Sequence, residues 1–138
     1  MRVSLFLHAQ PEGGRRNCWR NRRDRVGDCS AGGICSVETS RGKWHRIGDR
    51  DTVFDGLPFS VYVPPNTKFR ITADTGCDLA FCYSRAEEEH PARLIAPEDV
   101  EIEIRGGGNA TRKIHNIVPP SFPAHRLIVV EVFTPAGN

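Results

Sequence analysis

With 138 residues, 38% of them hydrophobic, the chain has room for one domain with one modest core. Ten prolines and thirteen glycines favour many turns and short elements over long helices, and no apolar stretch reaches the length of a membrane span. The formal net charge of +2 resides in one segment: residues 15–25 hold Arg15, Arg16, Arg20, Arg22, Arg23 and Arg25 against Asp24, so the rest of the chain is net negative. A lone charge run with a single aromatic (Trp19), no recognised motif and no second basic patch argues against a nucleic-acid partner.

The opening residues, Met1 to Gln10, include an apolar run (Val3 to Leu7) but no small-residue cleavage site, so no secretory signal is expected. Five cysteines (Cys18, Cys29, Cys35, Cys77, Cys82) are odd in number and irregular in spacing. A disulfide framework is normally even and denser, so reduced thiols and a cytoplasmic location follow. No two of these cysteines sit two to four residues apart, as a zinc knuckle needs.

Residues 1–36 read as an atypical segment. From Arg15 to Ser36 there is no sustained period of 2 or 3.6, which predicts poor packing or disorder and is abrupt enough to suggest a shifted reading frame. From Val37 onward strand-like runs and turn residues alternate. Lys43–Ile47 is short and amphipathic, Gly48-Asp49 turns, and Asp55-Gly56 marks a hairpin or corner. Ser60–Val63 is β-branched and aromatic and closes on Pro64-Pro65-Asn66. Lys68–Ala73 alternates, with Phe69, Ile71 and Ala73 on one face. Asp74–Gly76 turns the chain into a strand over 78–83, and Glu87–His90 is a charged loop. Val100–Arg105 alternates again, Gly106–Asn109 is flexible, and Arg112–Val118 and Leu127–Phe133 close the pattern. Short strands at near-regular spacing predict an all-β antiparallel sandwich or barrel.

The candidate chemistry is sparse. None of the five histidines (His8, His45, His90, His115, His125) is one residue from another, and no His-Glu-x-x-His is present, so a metal site in this chain is not expected. Glu87-Glu88-Glu89-His90 reads as a solvated loop rather than a metal cluster, and Gly106–Thr111 lacks the ending of a phosphate-binding loop. Pro64-Pro65-Asn66-Thr67-Lys68-Phe69 has the shape of the second cupin motif, Pro-x-Gly-x-x-His. Asn66 stands at the turn glycine and Phe69 at the position of the metal-binding histidine. Asn tolerates the left-handed bend, whereas Phe cannot ligate a metal. Arg105 and Arg112 flank the Gly-rich loop and offer guanidinium forks to a carboxylate. His115, three residues after Arg112, points to the opposite face of the same strand. Arg105, Arg112 and His115 are the candidate substrate-binding residues; no catalytic residue is assigned.

Five runs resemble the 5-deoxy-glucuronate isomerase family of bacterial inositol catabolism, a bicupin related to 5-keto-4-deoxyuronate isomerase. They are Ile47–Pro58, Tyr62–Thr67, His90–Val100, Gly108–Val118 and Leu127–Asn138, in the family's order and spanning about residues 37–138. The resemblance implies a cupin-type jelly roll. It also implies an aldose–ketose isomerisation of 5-deoxy-glucuronate to 5-dehydro-2-deoxygluconate, in which a metal polarises the carbonyl and a base moves a proton through an ene-diol. In the family the metal-binding His-x-His follows the stretch matching Phe133–Asn138. The resemblance thus implies that residues 37–138 are the amino-terminal cupin alone, an incomplete fold. The divalent metal is expected in the second cupin, no cofactor in this chain, and no catalysis by the chain alone. The implied partner is a small sugar acid; a non-catalytic, sugar-binding cupin is the alternative. Self-association through exposed sheet edges is expected, and a membrane partner is not.

Overall fold

The computed structural model describes the backbone of residues 5–9, 17–20 and 25–135, and side chains from residue 32 to 135. Twelve strands are present among them: β1 (Leu5–Ala9), β2 (Asn17–Arg20), β3 (Arg25–Gly32), β4 (Cys35–Thr39), β5 (Gly42–Ile47), β6 (Phe59–Val63), β7 (Lys68–Ala73), β8 (Cys77–Arg85), β9 (Arg93–Ile95), β10 (Glu101–Arg105), β11 (Arg112–Val118) and β12 (Val129–Phe133). The only helical pieces among the described residues are two single 3₁₀ turns, Pro97–Asp99 and Gly108–Ala110. No helix among them is long and apolar enough to cross a membrane.

All strand pairs are antiparallel and fall into three sheets, ordered β1-β8-β3-β6-β9, β2-β7-β4-β5 and β10-β11-β12. The five-stranded sheet is the middle layer. Its β6 carries Ser60, Val61, Tyr62 and Val63, all buried, as expected of a strand covered on both faces. Val61, Val63, Cys77, Leu79 and Phe81 pack against Cys35, Val37, Ile47, Phe69 and Ile71 of the four-stranded sheet. From the opposite face, Tyr62, Cys82 and Ile95 meet Ile117, Val118 and Val129 of the three-stranded sheet. One strand period of two therefore feeds two separate cores.

The backbone differs from the sequence reading in residues 1–36. Residues 5–9, 17–20 and 25–32 run as strands, and β3 lies inside the middle sheet between β8 and β6, with Cys29 opposite Phe81 on one side and Val61 on the other. Ladder hydrogen bonds come from the backbone, so a strand flanked on both sides needs no apolar alternation of its own. The side chains of the arginine run, and those of His8, Cys18 and Cys29, lie outside the described residues. The other expected strands are present, with Lys43–Ile47 widened to Gly42, Asp78–Tyr83 to 77–85, and the apolar run of 127–133 narrowed to Val129–Phe133.

Two local features follow the sequence closely. Asn66 takes φ 57, so the bend after Pro64-Pro65 survives without glycine, and Phe69 turns into the core with its ring 6.4 Å from that of Phe81. The turn after β5 depends on Gly48, at φ 110, where a Cβ would overlap the carbonyl of Gly33. That close approach brings the following residue into reach: the Gly33 amide donates to the Arg50 carbonyl at 2.7 Å.

Candidate functional site

Glu131 is the single charged residue in the apolar run of β12, and His115 is its direct cross-strand partner on β11. Side chains opposite each other on an antiparallel pair share a face. Here that face is the one turned towards the middle sheet. Arg50 reaches the same point from the loop between β5 and β6. Its Nη2 donates to Glu131 Oε1 at 2.5 Å and its Nη1 to Glu131 Oε2 at 3.1 Å, a two-pronged pair that is 2% exposed on the arginine side and 19% on the glutamate side. Nη1 also reaches the Val53 carbonyl at 3.4 Å, so the arginine holds its own loop as well.

Nδ1 of His115 lies 3.1 Å from Glu131 Oε2. A carboxylate only accepts, so Nδ1 carries the hydrogen and donates it; Nε2 is buried and has no hydrogen-bond partner. The His115 ring lies 4.8 Å from that of Phe133, which in turn meets Phe54 edge-on at 6.0 Å. Phe54 is 80% exposed, a large apolar group held at the surface by a loop whose turn is closed by Thr52 donating to Asp55 at 2.7 Å.

Arg50 and Glu131 border a cavity of about 390 Å³ between β8, β12 and the Arg50–Phe54 loop, lined chiefly by Val53, Phe54, Leu79, Ile117, Val129 and Phe133. Its polar members are Arg50, Asp78 and Glu131. Because the arginine and glutamate neutralise each other, the wall presents an apolar surface with a closed ion pair behind it. No three His, Cys, Asp or Glu side chains come together among the described residues. The His115–Glu131 pair has two such groups, and the Arg50 guanidinium occupies the carboxylate that would serve as ligand. These residues do not fit a divalent metal ion.

The three residues singled out in the sequence separate into two places. His115 is buried beside Glu131 and Phe133, both of which line the cavity. Arg105 and Arg112 are exposed and face each other across β10 and β11, on the side of the sheet turned away from the cavity. Arg105 Nε donates to Glu103 Oε1 at 2.6 Å; this hydrogen bond holds the Glu103 carboxyl below the usual carboxylate range and raises Arg105. The pleat is the reason for the separation, since an odd spacing along β11 sends Arg112 and His115 to opposite faces.

The charged loop is tied to its surroundings rather than gathered around a site. Glu89 accepts from Arg41 at 3.0 Å and from Asn66 at 3.2 Å, and these bonds lower its carboxyl. The Glu87 and Glu88 amides both donate to His125 Nδ1, at 3.0 and 3.1 Å. The sequence reading missed Arg50 and Glu131. A lone carboxylate inside a run such as Leu127–Phe133 is the signal that would have found Glu131, because a buried charge requires a partner.

Known proteins with this sequence pattern and fold exist. Residues 22–138 match the model of the KduI/IolB family, a match that begins inside the arginine-rich segment and well before Val37. The 5-deoxy-glucuronate isomerase of Geobacillus thermodenitrificans is 48% identical over 107 residues, which are 77% of this chain and 39% of that protein. The enzymes of the same name from Halalkalibacterium halodurans and Bacillus subtilis are 44% and 42% identical over 115 and 108 residues, covering 43% and 40% of their lengths. The chain thus spans about two fifths of these relatives. A crystal structure of an IolB-like protein from Salmonella typhimurium LT2 superposes with a TM-score of 0.89 at 35% identity, covering 96% of this chain and 50% of that one. The fold is all-β and cupin-type.

Proposed function

Because the chain belongs to the KduI/IolB family, we propose that it is the amino-terminal part of a 5-deoxy-glucuronate isomerase and supplies scaffold rather than chemistry. The observation that carries this reading is identity of 42–48% to relatives of that name, over roughly three quarters of the chain. In this reading the whole protein converts 5-deoxy-glucuronate to 5-dehydro-2-deoxygluconate in myo-inositol catabolism, and the divalent metal is held by the second cupin. The described residues contribute no ligand to it in this reading. Arg50, Glu131 and His115 brace the loop before β6 against β12, and so fix the wall on which the rest of the enzyme is built.

A chimera tests the proposal. The matching 107 residues of the Geobacillus thermodenitrificans enzyme are replaced by those of this chain, and turnover of 5-deoxy-glucuronate is measured with added Mn²⁺, Zn²⁺ or Fe²⁺. The folded chimera is expected to turn over, and residues 1–138 alone are expected not to. An inactive but folded chimera would overturn the family function for this chain, and turnover by 1–138 alone would overturn the scaffold reading.

A further inference from the structure

Among the described residues, the three-stranded sheet ends in two edge strands, β10 and β12. β10 reads Glu101-Ile102-Glu103-Ile104-Arg105, and its two isoleucines are 52% and 63% exposed. An exposed edge with unpaired backbone groups and apolar side chains is a template for another strand. What distinguishes β10 from β12 is its charge order. The outward face of the sheet at this end carries Glu101, Glu103 and Arg105 from β10, with Arg112 directly opposite Arg105 on β11. Each copy therefore presents two acidic and two basic side chains on one face, acidic at one end and basic at the other.

We propose that β10 pairs antiparallel with β10 of a second copy of this chain, about a two-fold axis through Glu103, to give a continuous six-stranded sheet. In that register Glu101 stands opposite Arg105 of the partner subunit, and the reverse pair forms on the other side of the axis. Ile102 stands opposite Ile104 of the partner subunit, so four isoleucines meet on the inward face. Glu103 meets its own counterpart, already held by the Arg105 Nε of its own chain at 2.6 Å. Neighbouring registers are worse. Centring on Ile102 sets Glu101 against Glu103, and centring on Ile104 runs Ile102 into the turn at Gly106, which takes φ 84. β12 has no comparable pattern: its outward residues Val130 and Val132 are uncharged, and Glu131 is committed to Arg50.

The test is the mass of the full chain in solution by sedimentation equilibrium. The series should reach roughly a hundred micromolar, the range in which small interfaces associate. The wild type is expected to approach twice the chain mass of 15.4 kDa. Glu101→Arg opposes like charges at both ends of the pairing and Arg105→Glu does the same with the other sign. Each should remain at 15.4 kDa over the same range, with circular dichroism showing that it is folded. The charge swap Glu101→Arg/Arg105→Glu recreates both pairs in reverse and should restore the dimer. A monomeric wild type overturns the proposal, as do single variants that dimerise like the wild type. A folded charge swap that stays monomeric overturns the register.

Discussion

Replacing Glu131 by leucine leaves the Arg50 guanidinium facing an apolar group in place of a carboxylate bound through two nitrogens at 2.5 and 3.1 Å. Removing one partner of a buried pair costs about 3–5 kcal/mol, because the other charge is stranded away from water. That loss is a large fraction of the ~5–15 kcal/mol that holds a typical domain folded. Arg50→Met should cost less. The Glu131 side chain is 19% exposed against 2% for Arg50, so the orphaned carboxylate keeps some contact with solvent and still accepts from His115 Nδ1. The double variant Arg50→Met/Glu131→Leu removes both charges and leaves only His115 without its acceptor, a cost of about 1–3 kcal/mol. Urea denaturation of the four proteins, with free energies extrapolated to water, gives the comparison. The double variant is expected to be more stable than Glu131→Leu alone. Additive losses in the double variant, or a larger loss from Arg50→Met than from Glu131→Leu, would refute the description of these groups as one buried unit.

Alkaline pH should destabilise the protein. Burial pushes the Cys35 thiol up to about 12 from 9.0, helped by Cys77 and Asp74, and the Tyr62 hydroxyl up to about 12 from 10.0, helped by the charge of Glu89; Cys77 is raised as well. The unfolded chain loses these protons first, so their contribution is whole below about pH 9 and is lost as pH rises towards 12. Circular dichroism at fixed urea across that window should show stability falling, and Cys35→Val should shift the fall to higher pH; a flat profile would contradict the burial. Tyr62→Phe removes a buried hydroxyl that has no hydrogen-bond partner while keeping the ring, which lies 5.5 Å from Phe122. It should leave the melting temperature unchanged or raised, since deleting an unsatisfied polar group is neutral or stabilising; a loss of more than about 1 kcal/mol would show that the hydroxyl is in fact paired.

Several strands after residue 36 were legible because they have one clear face. Phe69 and Ile71 against Arg70, and Ile102 and Ile104 against Glu103, announce a period of two that only a pleated strand satisfies. The Asn66 bend was legible too, since few residues other than glycine accept φ 57. The candidate site was legible in only one of its members. His115 stands out as a ring in an apolar strand, but its partner Glu131 lies sixteen positions on and Arg50 eighty-one positions before Glu131. Arg105 and Arg112, grouped with His115 by their nearness in sequence, belong to the opposite face and to each other.

The sequence by itself determined the all-β class, the two-residue period that sorts core from surface, and the family, because these depend on local backbone preference and on the order of short motifs. The tertiary structure decided the rest. It placed strand β3, which carries two glycines and follows an arginine run, in the middle of a sheet, closed the Arg50–Glu131–His115 contact, and turned Arg105 and Arg112 outward with the edge of β10. Strand order and cross-strand register bring together residues far apart in the chain, and no local propensity encodes a distance between them.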